Sequence, residues 1–184
     1  NKDWQHPHDP DARITRMKNG RTHLAHKAEH AVDLETGAVV AVTVQSATEG
    51  DTQTLMNTVA EAAEQLERVR EDEAAAEHLS DQPLAEMVLD KGYHSNETLV
   101  ELADWEIRAY ASEPDRGRRC WKDQARARDA VYANRRRIRG QHGKWLLRQR
   151  GELLERPFAH YLGRGGMRRA HLRGHENILK RLLI

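Results

Sequence analysis

Met87-Val88-Leu89 is a short apolar run closed by Asp90, and Lys91-Gly92-Tyr93-His94-Ser95 follows. The pattern predicts a strand over 86–90, a glycine turn, and a helix capped by Ser95 or Asn96 that runs to about Asp104. Residues 107–112 alternate as a further strand. A carboxylate is thereby delivered to the carboxyl end of a stiff strand, where ligand and metal sites of α/β sheets collect. The same residue could simply end the strand and cap the turn behind it.

The rest of the chain supports an α/β layout. Residues 1–21 read as loop, with a turn at Lys18-Asn19-Gly20. Residues 23–33, the turn Leu34-Glu35-Thr36-Gly37 and the β-branched run 38–44 read as a hairpin. Asp51 or Thr52 opens a helix whose apolar stripe is Leu55, Val59, Ala62, Leu66 and Val69. An acidic, Ala-rich connection over 71–82 ends at Pro83. Residues 113–119 form a Pro/Gly turn, 121–139 a helix ended by Gly140, and 144–154 another. Gly163 to Gly166 break the chain, and 177–183 is a last amphipathic turn or two.

The net charge of +1 conceals a split. Residues 116–184 hold 20 Lys+Arg against 5 Asp+Glu, whereas 1–115 hold 10 against 24. An acidic α/β body over 22–115 is thus followed by a basic helical part over 116–184. A basic block this dense is the footprint of a polyanion partner, most often nucleic acid. No apolar run approaches the roughly 18 residues of a membrane span. A lone Cys120 forms no internal disulfide and fits a reducing cytosol. The polar start, Asn1-Lys2-Asp3-Trp4, has no signal-peptide core and no Met, as expected for a piece of a longer chain.

Asp90 needs an acidic partner to hold a metal, since Mg²⁺ takes one or two carboxylates with waters and phosphate oxygens. Glu155, in Leu153-Leu154-Glu155-Arg156-Pro157-Phe158, is the best choice in the basic part. Glu152 competes with it, and Glu155 could instead be a surface glutamate paired with Arg156. Eleven histidines invite a zinc reading: His6, His8, Asp9 and Asp11, or His23, His26 and His30. No cysteine and no HExxH motif supports it. On a strand, His23 and His26 face opposite ways.

Asp90-Lys91-Gly92-Tyr93, then Glu155-Arg156-x-Phe158 and Gly166-Met167-Arg168-Arg169, resembles bacterial insertion-sequence transposases of the DDE class. Asp9-Pro10-Asp11-Ala12, His26-Lys27 through Ala31-Val32-Asp33, Gly50-Asp51-Thr52, Tyr132-Ala133-Asn134-Arg135-Arg136 and Leu172-Arg173-Gly174-His175-Glu176-Asn177 share the family's look, so the resemblance covers essentially the whole chain. It implies the C-terminal part of one catalytic domain: an RNase H-like mixed sheet with flanking helices, lacking its first strand and followed by the basic helices. An edge left bare by that strand would make the isolated chain marginal or aggregation-prone.

The resemblance also implies chemistry. Three acids would grip two Mg²⁺ ions (Mn²⁺ can substitute), one activating a water or 3′-hydroxyl and the other steadying the leaving oxygen of a phosphodiester. Asp90 matches the second Asp and Glu155 the Glu. The first Asp has no match here and is expected upstream of Asn1. The partners would be double-stranded DNA, as transposon ends and target, and a second copy in a homodimer. The setting would be the bacterial cytoplasm, at the nucleoid. Arg135, Arg136, Arg137, Arg148, Arg150, Arg156, Arg168, Arg169 and Arg173 would pair phosphates without reading sequence; Arg135 to Arg137 read otherwise as one solvated helix turn.

Two departures stand out. Many relatives carry Y-x2-R-x3-E-x6-K around the glutamate, but counting from Glu155 those positions read Arg148, Gly151 and Leu162. Counting from Glu152 finds Trp145, Arg148 and Ala159. Pro157 would also kink a helix near Glu155. A truncated remnant that binds DNA without cutting it is the alternative function.

Overall fold

The computed structural model describes residues 4–17, 20–169 and 171–183. In chain order the elements are β1 (Arg13–Arg16), β2 (Thr22–Val32), β3 (Val39–Ser46), α1 (Asp51–Arg70), α2 (Glu73–Ala76), β4 (Glu86–Leu89), α3 (Asn96–Asp104), β5 (Arg108–Ala111), α4 (Ala125–Arg139), α5 (Gln141–Arg150), α6 (Arg156–Gly163) and α7 (His175–Leu182). The chain is mixed α/β, with a 3-stranded antiparallel sheet in the order β1-β2-β3 and a 2-stranded parallel sheet, β4-β5. Where one mixed sheet was expected, the described strands form two. The chain divides into two compact units, Asn1–Arg68 with Phe158–Ile184, and Val69–Pro157. This division cuts across the change of charge at residue 116. No described helix is long and apolar enough to cross a membrane.

In the first unit the hairpin of β2 and β3 forms as its β-branched pattern predicts. The turn hydrogen bonds fall where Gly37 adopts φ +75°, and Asp33 accepts from the Thr36 N–H at 2.8 Å. β1 was not foreseen in the loop over 1–21; Arg13-Ile14-Thr15-Arg16 holds one apolar residue and exists by pairing with β2. Of the turn read at Lys18-Asn19-Gly20, the first two residues lie outside the described ones. In α1 the stripe buries Leu55, Val59 and Ala62 but leaves Val69 exposed.

The contact of α1 with the sheet is polar at its centre. Register places Lys27 opposite Gln45 and Glu29 opposite Thr43. These four share one face because strand side chains alternate. The buried Glu29 carboxylate accepts from Thr54 Oγ1 and Thr58 Oγ1, both at 2.6 Å, one helical turn apart on α1. Lys27 Nζ lies 2.8 Å from Glu29 and 2.9 Å from Asp51. Desolvation pushes the Glu29 carboxyl up, but the bonds from Lys27, Thr54 and Thr58 outweigh it and hold the group below its ordinary 4.5. A buried charge is tolerable only when paired and hydrogen-bonded in this way.

A second polar contact closes this unit. Gly174 N–H donates to Asp9 Oδ1 and His175 N–H to Asp11 Oδ2, both at 3.1 Å. Two carboxylates thus meet the open N–H groups at the start of α7, where anions are favoured. His26 Nε2 lies 3.1 Å from Asp9 Oδ2. Desolvation raises the Asp9 pKa, yet the bonds from His26 and Gly174 bring it below 3.8.

In the second unit the Ser95 cap forms as read, accepting from Thr98 N–H at 2.9 Å. β4 and β5 pair in parallel from Glu86 opposite Arg108 to Leu89 opposite Ala111, with α3 as the crossover. Gly140 does end α4, but in extended backbone (φ −67°, ψ 162°), and α5 starts at the next residue. The two helices make a tight corner. A Cβ on Gly143 would lie 2.1 Å from the Arg137 carbonyl oxygen.

Two outcomes follow. Gly143→Ala will destabilise the protein by about 1–3 kcal/mol in denaturant titration, since backbone rather than a flexible side chain must move. Glu29 and Asp9, both with depressed folded pKa values, contribute stability above their unfolded values that is lost as pH falls through about 4 and below. Glu29→Gln will cost about 1–3 kcal/mol at pH 7, by weakening the bonds the carboxylate accepts from Lys27, Thr54 and Thr58 while Lys27 keeps Asp51, and will flatten that acid limb.

Candidate active site

The parallel pair β4-β5 is the platform for Asp90, and α4 and α5 are fastened to it by polar contacts. Asn134, wholly buried, holds the last residue of β5 with two bonds: its Oδ1 accepts from Ala111 N–H at 2.9 Å and its Nδ2 donates to the Ala111 carbonyl at 2.8 Å. One turn further along α4, Arg137 Nε donates to the Ala109 carbonyl at 2.9 Å.

After the Gly140 corner the chain returns along β4. His142 Nε2 lies 2.9 Å from Glu86 Oε2 at the start of that strand. Glu86 Oε1 also accepts from Tyr110 Oη at 2.6 Å. Desolvation pushes the Glu86 carboxyl up, but the Tyr110 and His142 bonds keep it below its usual value. Arg150, at the end of α5, reaches Asp90 at the end of β4. The lengths agree: eight helical steps from His142 to Arg150 cover about 12 Å, and four strand steps from Glu86 to Asp90 about 13 Å. Leu146, buried midway, packs the stretch between the two pins.

Asp90 both ends its strand and caps the turn behind it. Its Oδ1 accepts from Lys91 N–H at 2.7 Å and opens a single 3₁₀ turn over Lys91–Tyr93. The carboxylate is 52% exposed. Glu155 is 60% exposed and sits on Arg150 Nη1 at 2.6 Å, while Arg150 Nη2 lies 3.9 Å from Asp90 Oδ1. Two carboxylates 65 positions apart in the chain therefore share one guanidinium, itself only 15% exposed. Glu155 pairs with Arg150 rather than with its neighbour Arg156.

The backbone explains that choice. Residues Gly151–Glu155 form a π-helical turn, closed by Arg156 N–H to the Gly151 carbonyl. In an α-helix, residues five apart differ by about 140° around the axis. An i→i+5 turn stacks them on one side. Pro157 supplies the cause: it has no N–H to give, and its ring would clash with the Leu153 carbonyl in a regular helix. The helix widens there, and Glu155 meets Arg150.

The donor set suits one hard divalent cation. Two solvent-open carboxylates already converge on a positive group, and Mg²⁺ completes its shell with waters and phosphate oxygens. A two-ion site needs another carboxylate. Among the described residues no three His, Cys, Asp or Glu side chains gather to hold a metal. Asp9 and Asp11 are bound to the start of α7, and Asp33 accepts from Thr36. The histidines are dispersed likewise. His26 pairs with Asp9, and His30 packs on Phe158 with ring centroids 4.4 Å apart, where burial lowers its pKa to about 4. His94 is 1% exposed and neither of its ring nitrogens has a hydrogen-bond partner; burial lowers its pKa.

The arginines separate by role. Arg135 grips Glu113 through Nε at 2.5 Å and Nη2 at 2.8 Å, and Arg119 joins the same carboxylate at 2.9 Å. The Arg135 bonds are the main reason the Glu113 carboxyl is held at about 2. Arg137 is tied to β5, and burial lowers its pKa. Arg150 bonds Glu155 and lies 3.9 Å from Asp90. Arg136, Arg148 and Arg156 are exposed in the second unit, and Arg168, Arg169 and Arg173 in the first. Arg119 and Glu113 are the members of this network that sequence reasoning passed over, because nothing local links positions 113, 119 and 135.

The π-turn has a measurable signature. A double-mutant cycle on Arg150 and Glu155 will give a coupling of about 0.5 kcal/mol, and Pro157→Ala, which lets the α-ladder close, will bring that coupling to about zero. No protein-family model matches this chain, and comparisons with curated proteins and with solved structures likewise find no match.

Proposed function

We propose that the chain is the C-terminal part of a DDE-type DNA transposase catalytic domain with an RNase H-like fold, acting on the phosphodiesters of double-stranded DNA with the help of divalent metal. The observation that carries this reading is the meeting of Asp90 and Glu155 on one cation. The resemblance named these two residues from separate motifs, and the corner at Gly140 and Gly143 brings them together.

The π-turn adds support. Relatives hold an arginine four positions before the glutamate, and Gly151 stands there in this chain. A widened turn spends one more residue per revolution, so Arg150, five positions before Glu155, takes the place over the carboxylate.

Asp90 and Glu155 would hold the metal, and when bound it supplies Lewis-acid polarisation of a phosphate oxygen and a more acidic attacking water or hydroxyl. The chain's own contribution is placement. β4 fixes Asp90, and α5 sets Glu155 at the same end of that strand. Arg136, Arg148 and Arg156, exposed in the same unit, are free to pair phosphates and set DNA register. A reading without cleavage, as a DNA-binding remnant, is favoured by one observation: no third described carboxylate joins the pair.

Residues 1–184 alone will bind duplex DNA with log K falling against log [salt] by about 0.9 for each phosphate neutralised. They will not nick it in Mg²⁺ or Mn²⁺. A flat salt response removes DNA as the partner. Robust nicking that Asp90→Ala abolishes would show that a local acid completes the site and would reject the remnant.

A further inference from the structure

The geometry points to Arg150 as the resident counter-cation of Asp90 and Glu155, which a divalent ion must displace to enter the site. This inference rests on the reading of those two carboxylates as metal ligands and names what controls their loading.

The argument starts from burial. The Arg150 side chain is 15% exposed, while Asp90 and Glu155 are 52% and 60% exposed. The cation is thus the covered, fixed partner, and the anions lie open beside it. One Nη engages Glu155 Oε1 at 2.6 Å and the other stands 3.9 Å from Asp90 Oδ1, so the guanidinium places its positive charge beside both carboxylates, where a metal ion would sit. Asp90 Oδ1 also accepts from Lys91 N–H, which leaves Oδ2 as its open oxygen. With Arg150 in place the cluster carries one net negative charge, and without it two. A divalent ion next to the guanidinium meets like charge, and desolvation strengthens that repulsion.

A different role for Arg150 makes the opposite forecast. If the guanidinium served only to align the carboxylates, its removal would loosen them and weaken metal binding. As a counter-cation, its removal strengthens metal binding. The sign of the change separates the two.

The test is Mn²⁺ binding to the full 184-residue chain, read by the loss of free-ion electron paramagnetic resonance signal. Arg150→Gln will bind Mn²⁺ about tenfold more tightly than the parent, and Arg150→Lys, which keeps the charge, will stay near the parent. Equal or weaker binding by Arg150→Gln overturns the inference. Asp90→Asn and Glu155→Gln report on the underlying reading: if they abolish binding while Arg150→Gln changes nothing, the metal site stands and only the role of Arg150 falls. If both leave Mn²⁺ binding as it was, or no chain binds it, the reading of the site falls as well. A measurement on the parent chain guards against misfolding of the variants. Saturating Mg²⁺ will shift the Arg150 Nε–H nuclear magnetic resonance signal and speed its exchange with water; an unaltered signal overturns the inference.

Discussion

The second unit depends on a match of two lengths. A helix that rises about 1.5 Å per residue runs beside a strand that rises about 3.3 Å, with a polar side-chain contact at each end. His142 meets Glu86 at one end and Arg150 meets Asp90 at the other. The match works because the return after α4 is abrupt, and the return is abrupt because Gly143 allows a helix start against the Arg137 carbonyl. Asn134 and Arg137 meanwhile fix α4 to β5 through its backbone. A two-stranded parallel pair thus carries one acidic side chain at its end.

Much of this was legible. The four longer strand readings fell within two residues of β2, β3, β4 and β5, because apolar and β-branched runs bounded by turn residues are local signals. Ser95 was legible as a cap for the same reason. β1 was not, since its pattern is Arg-Ile-Thr-Arg and its partner lies across a turn. Gly140 was rightly placed as a helix end, but a residue in extended backbone leaves the next helix free to begin at once.

Asp90 and Glu155 were paired from the sequence as candidates, and the contact each makes with Arg150 was not foreseen. Asp90 and Glu155 stand in recognisable strings. The link between them runs through Arg150, which a residue count rejects because it assumes a uniform helix. Pro157 was read as a hazard to Glu155; it instead selects the turn that keeps the carboxylate on its partner. Arg135 and Arg137 have partners that the sequence did not reveal. A run of arginines looks like a DNA-facing surface, yet alternate members point inward to Glu113 and Ala109, and Arg136 alone of the three is exposed.

The pairing of Asp9 and Asp11 with Gly174 and His175 has a temporal side. It joins positions 165 and 164 residues apart, so the first unit is assembled from two segments that flank the second, while Val69–Pro157 is a single uninterrupted stretch. During synthesis the inner stretch can condense as soon as it leaves the ribosome. The outer one must wait, with its sheet short of α7, until the last of its residues has been made. Nascent chains stalled before position 174 would carry a finished insert inside an unfinished host.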